Sequence, residues 1–107
     1  MSSEQLASIL NDLRLGLDEI LGKDLEAVYL YGSQARGDAR PDSDIDVLVV
    51  LNINFDTFDM IEKTGQLVSD LSLKNDTVIS LAFIHVEDFA KRQTPFLMNV
   101  RRESILL

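Results

Sequence analysis

The sequence predicts an α/β (α+β) fold, a small mixed sheet of three or four strands with helices packed mainly on one face. An amphipathic helical pattern opens the chain, three β-rich apolar runs follow it, and helical patterns separate or follow those runs. Every residue over 47–51 is apolar, as is typical of a central strand covered on both faces. At 107 residues, we expect a single domain over 1–107 with one modest core.

The first helix is predicted over residues 3–21, with Ser2 as its N-cap and Gly22 as its stop. Leu15 falls off the apolar stripe, so we expect it to be exposed or to contact a partner. The stripe itself recurs at three- and four-residue spacing and comprises Leu6, Ile9, Leu10, Leu13, Leu17, Ile20 and Leu21.

Three strands are predicted from the apolar runs Leu25 to Tyr31, Ile45 to Leu51 and Thr77 to Ile84. A helix between the second and third strands is predicted to begin at a cap, Asp56 or Asn54, and to run to about Leu73. Its predicted core stripe is Phe58, Ile61, Val68 and Leu71, with Gly65 as a close-packing point.

The last part of the chain is predicted to be helical from Val86, with an interruption at Thr94-Pro95. Thr94 can cap a final helix and Pro95 suits its first position, so this helix should end at about Arg102. Ser104 to Leu107 is predicted to add a short terminal strand.

Composition and charge narrow the function classes. The formal net charge of −8 argues against direct nucleic-acid binding, which requires clustered Lys and Arg, and favours a basic protein partner. The absence of cysteine excludes disulfides and thiolate metal sites. No apolar run approaches membrane-spanning length and no signal peptide is recognisable, so a cytoplasmic protein without membrane contact is expected.

The candidate chemistry lies between the first two strands. Gly32 permits close approach of a phosphate at the end of the first strand, and Ser33 begins a helical turn that ends before Gly37. Asp44 and Asp46 then stand two residues apart, which places both carboxylates on one face of a strand. Two carboxylates with open positions for water and phosphate oxygens suit Mg²⁺, or Mn²⁺, rather than zinc.

Taken separately, a Gly-Ser pair is usually only a turn and an Asp-x-Asp pair is usually a solvated face. Together they form the two halves of a metal–nucleotide site. The segment GSQARGDARPDSDIDVLVVL resembles the minimal nucleotidyltransferase domain of the DNA polymerase β-like superfamily, and in particular the antitoxins of HEPN/MNT toxin–antitoxin pairs. The resemblance covers nearly the whole chain, and its specific part is about twenty residues.

This resemblance implies an enzyme that transfers AMP from ATP to a tyrosine hydroxyl of a HEPN ribonuclease toxin and so neutralises it. On this reading Asp44 and Asp46 hold the metal ion, and Gly32 and Ser33 fix the β- and γ-phosphates while the hydroxyl attacks the α-phosphorus. Arg36, which lies within the segment GSQARG that resembles the family motif, is a further candidate for binding phosphate, and Arg40 is a weaker one.

One feature departs from the family pattern. Polymerase β-like enzymes commonly carry a third carboxylate on the next strand, and the corresponding position here is Ser80, which is not an ionised ligand. Asp76 or Glu87 is a substitute only if the fold brings it to the site. The departure keeps open a catalytically weak antitoxin that blocks the toxin by complex formation. A small-molecule nucleotidyltransferase ranks last, because the chain has no room for an acceptor-binding domain.

The remaining polar and aromatic candidates have structural interpretations. His85, the only histidine, is expected to be structural rather than catalytic. Tyr29 and Tyr31 share one strand face by alternation and are expected to pack. Arg101 and Arg102 are expected at the surface or against a partner.

Overall fold

A computed structural model describes all 107 residues of the chain. Its five α-helices are α1 (Ser3–Leu21), α2 (Ser33–Arg36), α3 (Thr57–Asn75), α4 (Val86–Lys91) and α5 (Pro95–Glu103), and a 3₁₀ turn covers Gly22–Asp24. The four strands are β1 (Leu25–Tyr31), β2 (Ile45–Leu51), β3 (Ile79–His85) and β4 (Ile105–Leu106). No helix is both long enough and apolar enough to span a membrane.

The four strands form one mixed sheet in the order β3-β2-β1-β4. β1 pairs antiparallel with both β2 and β4, whereas β2 and β3 run parallel because α3 carries the chain back between them. The predicted mixed α/β fold is therefore confirmed, including the short terminal strand.

Alternation along the central strands divides the core between the two faces of the sheet. One face packs against α1 and α3 through 14 buried residues, among them Leu13, Leu17, Val47 and Val49. On the other face, under α4 and α5, the buried cluster is smaller and consists of Leu48, Val50 and Val100. The long helices thus lie on one face, as expected, and the opposite face is thinly covered.

The termini of the helices follow the predicted capping signals. The Oγ of Ser2 accepts from the Gln5 N–H at 3.0 Å, and α1 ends at Gly22. Asp56, rather than Asn54, caps α3 by accepting from the Asp59 N–H at 3.2 Å. At α4 the cap is His85, whose Nδ1 accepts from the Glu87 N–H, which confirms a structural role for the histidine.

The predicted stripe of α3 is wrong in its first half. Phe58 is 83% exposed and Ile61 is 52% exposed, whereas Met60 and Thr64 are buried. Thr64 tolerates burial because its hydroxyl donates to the Met60 carbonyl at 2.8 Å, so an apolar-only pattern could not include it. Leu71 is buried and Val68 partly buried, as predicted.

Two further packing predictions concern glycine and isoleucine. Gly65 is not a close-packing point, because a Cβ at that position would find nothing within 4 Å. The close contact between α1 and α3 lies at Gly16, where a Cβ would stand 2.5 Å from the Leu67 Cδ1. On α1, Ile20 is 39% exposed rather than buried, while Leu15 is exposed as predicted.

Candidate active site

The predicted phosphate-binding turn begins where β1 ends. Gly32 has φ +75° and ψ −158°, a backbone conformation that is accessible essentially only to glycine. Ser33 opens α2, whose turn closes through bonds of 3.1 Å from the Ala35 and Arg36 N–H groups to the Gly32 carbonyl. Gly37, at φ +82°, ends it. The turn therefore forms where the sequence predicts it.

The glycine turn lies against the carboxylate of Asp46. Tyr31 pairs with Asp46 across the antiparallel β1–β2 ladder, so Gly32 emerges beside the start of β2. A Cβ on Gly32 would stand 2.6 Å from the Asp46 Oδ2, closer than non-bonded atoms approach. The absence of a side chain at Gly32 is thus what allows the Asp46 carboxylate to occupy this position.

The two predicted metal ligands are close enough to influence each other. Asp44 is exposed in the loop just before β2, and Asp46 is half-buried on the strand. Burial raises the pKa of Asp46 above its ordinary value, the negative charge of Asp44 raises it further, and the positive charge of Arg36 opposes both. The pair is therefore a site of negative charge that Arg36 offsets only in part and that a cation would stabilise.

The donor chemistry fits Mg²⁺ or Mn²⁺. Two carboxylates supply hard oxygen ligands, and the glycine beside Asp46 keeps the approach to that carboxylate free of a side chain. No group of three acidic, histidine or cysteine side chains is arranged to hold a metal anywhere in the chain. Water and phosphate oxygens would therefore have to complete the coordination.

The position of the third carboxylate is occupied by an exposed serine. In the parallel β2–β3 ladder Ser80 is the register partner of Asp46, so position 80 is where an additional ligand would lie. Glu87 cannot substitute, because it follows the far end of β3, where His85 pairs with Leu51. Asp76 lies at the near end but forms the left-handed C-cap of α3 and does not complete a three-carboxylate group.

Arg36 is an exposed arginine with two carboxylate partners. Its Nε lies 3.3 Å from the Asp38 Oδ2, and its Nη1 lies 3.4 Å from the Glu103 Oε2 at the end of α5. These hydrogen bonds raise the pKa of Arg36, so the guanidinium stays protonated and positively charged. Arg40 instead takes part in a turn in which its N–H donates to the Ser43 Oγ at 2.8 Å.

One residue near the site could not be identified from the sequence motif. Glu103 is 67 residues from Arg36 in the chain, and nothing in the sequence indicates their contact.

Tyr31 packs edge-on against Phe96 at 5.5 Å between ring centroids, which confirms its packing role. Burial raises the pKa of Tyr31, and the charge of Asp46 raises it further, so its hydroxyl stays protonated at neutral pH.

The fold and the residue pattern define a nucleotidyltransferase domain. Residues 17–107 match the family model "Polymerase beta, Nucleotidyltransferase", and the chain belongs to this family. It is also 34% identical over 76 residues to the "Putative protein adenylyltransferase MJ0141" of Methanocaldococcus jannaschii, covering 71% of this chain and 76% of that protein.

Solved structures show the same fold at low sequence identity. A crystal structure of a toxin–antitoxin with AMP-PNP superposes with a TM-score of 0.65 at 21% identity, covering 90% of this chain and 69% of that one. The structure of the tri-AMPylated Shewanella oneidensis HEPN toxin in complex with its MNT antitoxin gives a TM-score of 0.56 at 19% identity, covering 99% and 71%. The polymerase β-like fold implied by the sequence motif is confirmed.

Proposed function

We propose that this protein is an antitoxin that transfers AMP from ATP to a tyrosine hydroxyl of a HEPN-family ribonuclease and thereby silences it. The observation that best supports a nucleotidyl-transfer site is the close approach of Gly32 to the Asp46 carboxylate, which brings the proposed phosphate-binding turn beside a proposed metal ligand. The protein acceptor is supported by the similarity to a protein adenylyltransferase and by the fold shared with an antitoxin bound to an AMPylated HEPN toxin.

In the proposed reaction, Asp44 and Asp46 hold Mg²⁺, or Mn²⁺, beside the triphosphate. When bound, the ion neutralises phosphate charge and orients the phosphates. Gly32 and Ser33 fix the β- and γ-phosphates through backbone and hydroxyl groups, and Arg36 contacts a phosphate oxygen. The tyrosine oxygen forms a bond to the α-phosphorus, the α–β phosphoanhydride bond breaks, pyrophosphate leaves, and the hydroxyl proton passes to solvent.

Intact mass spectrometry tests this function. The protein is incubated with Mg²⁺, ATP and the protein encoded by the neighbouring gene, and that neighbour is then weighed. We expect a gain of one or more adenylyl groups that disappears in Asp44→Asn and Asp46→Asn. Asp70→Asn is the control, because that carboxylate only accepts from Gln66 on the exposed face of α3. Transfer to a small alcohol instead of the protein would contradict the proposal.

Ser80 supports a second candidate, a binding antitoxin with little catalysis. The register partner of Asp46 carries no carboxylate, so the domain lacks one of the charges that usually assist the metal or accept the acceptor's proton. A tight complex without any mass gain would favour this candidate. Ser80→Asp then becomes informative, because transfer that appears only in this variant would show that the missing carboxylate limits the reaction.

A further inference from the structure

Arg36 connects the phosphate-binding turn to the end of α5. Its Nε and Nη1 are engaged by Asp38 and Glu103, while Nη2 has no protein partner. A guanidinium carries its N–H donors in a rigid planar fork, so two carboxylates on Nε and Nη1 fix the direction of the remaining donors. The side chain is therefore oriented before any ligand arrives.

The Glu103 end of this connection is held in place by the core and the sheet. Val100, one turn earlier on α5, is buried, and its carbonyl accepts from the Ser104 N–H at 2.8 Å. Two residues after Glu103, Ile105 pairs with Leu30 of β1. The Glu103 side chain is also less exposed than that of Arg36, at 29% against 43%. The backbone around Glu103 is thus held on both sides, and Glu103 is the less exposed partner of this ion pair.

We infer that Glu103 is a positioning residue for nucleotide binding, because it holds the Arg36 guanidinium with Nη2 available to a triphosphate oxygen. This inference rests on the proposed function, which places the triphosphate at the Gly32 turn. The Glu103 Oε1 also lies 3.8 Å from the exposed Arg102 Nη2, but Glu103 contacts no substrate itself and acts on the nucleotide through Arg36. Its carboxylate would otherwise weaken the binding of an anion by charge repulsion, so positioning and simple electrostatics predict opposite effects when Glu103 is removed.

Calorimetric titration with Mg²⁺ and AMP-PNP measures the effect. We expect Glu103→Ala to weaken binding by about 2- to 10-fold, since the free arginine must then be immobilised by the ligand. Glu103→Gln, which keeps an oxygen that can accept from Nη1, should restore binding to the wild-type level or above. In an Arg36→Ala background, Glu103→Ala should have no further effect. Asp18→Asn is the matched control, because Asp18 also lies in the last turn of a helix and pairs with an arginine at 3.4 Å.

Three outcomes would overturn the inference while wild-type binding persists. These are unchanged or tighter binding in Glu103→Ala, an equal loss in Asp18→Asn, or a loss that persists without Arg36. A wild-type protein that binds no nucleotide would instead refute the proposed function and the inference with it. Thermal unfolding of each variant identifies a folding defect, and if Glu103→Ala does not fold, a Glu103→Gln variant that binds more weakly than wild type overturns the inference.

Discussion

Replacing Gly32 by alanine separates the two reasons for a glycine beside the carboxylates. The first is backbone strain, because the observed φ and ψ lie in a region that costs a residue with a Cβ about 1–3 kcal/mol. The second is contact, because the new Cβ would stand 2.6 Å from the Asp46 Oδ2. The carboxylate is the flexible partner, so it should move and relieve the clash.

The strain and the displacement predict separate measurements. For a domain of this size, a loss of about 1–3 kcal/mol lowers the melting temperature by about 4–15 °C. A displacement of about 1 Å at Asp46, the proposed metal ligand, is large enough to reduce the proposed adenylyl transfer by about 10- to 100-fold. Circular dichroism melting measures the first quantity, and a time course of adenylylation by mass spectrometry, recorded below the lowered melting temperature, measures the second.

Gly22→Ala is the control for Gly32→Ala. Gly22 also has a positive φ, +54°, but a Cβ there would find nothing within 4 Å, and the residue lies after α1, away from the carboxylates. It should lower the melting temperature and leave transfer unchanged. The reasoning is refuted if Gly32→Ala loses stability as Gly22→Ala does but transfers AMP at the wild-type rate.

Three further predictions concern packing and charge. Gly65→Ala should stabilise α3 by about 0.5–1 kcal/mol in denaturant unfolding, because a Cβ there meets nothing. Gly16→Ala should not raise the stability, because its Cβ meets the Leu67 side chain. Equal stabilisation by the two variants would contradict the close contact at Gly16. In the same assay, Leu13→Ala should lower the free energy of unfolding by about 2–5 kcal/mol, because Leu13 is buried. Leu15→Ala should lower it by less than about 0.5 kcal/mol, because Leu15 is exposed. Similar losses in the two variants would show that Leu13 is not in the core. Because the pKa of Asp46 is raised in the folded protein, ionisation of this carboxyl destabilises the fold as pH rises. Without metal, Asp46→Asn should therefore melt at a higher temperature than wild type at pH 7, and the difference should disappear below about pH 4. A lower melting temperature than wild type at pH 7 would contradict this.

The sequence predicted the elements whose signals are local. Caps, glycine stops and apolar periodicity located the helices and strands to within a few residues, and the turn at Gly32 and the pair Asp44 and Asp46 lie on one continuous segment. That the turn and the two aspartates lie close together could be predicted, because a short connection between two strands brings the end of the first close to the start of the second. The catalytic and binding roles of these residues, and the single-domain organisation, stay predictions.

The remaining features depend on contacts between distant parts of the chain. The core-facing side of α3 includes Thr64, a buried threonine that bonds to its own helix, and a threonine carries no apolar signal in the sequence. The partner of Arg36 on α5 depends on where the last helix crosses the sheet, which no periodicity specifies. The same is true of Gly16, since the helix crossing decides which glycine is in close contact.

The unequal covering of the two sheet faces bears on what the site can accept. Asp46 and Ser80 lie on the thinly covered face, because they alternate with Val47 and Leu81, which face α1 and α3. Only short helices pack on their side, and the loop that carries Asp44 is exposed. A small cofactor needs only a narrow opening, but a tyrosine presented by a folded protein needs a wide one. The thick core on one face therefore stabilises the sheet, while the carboxylates lie on the thinly covered side, from which the proposed protein acceptor would have to approach.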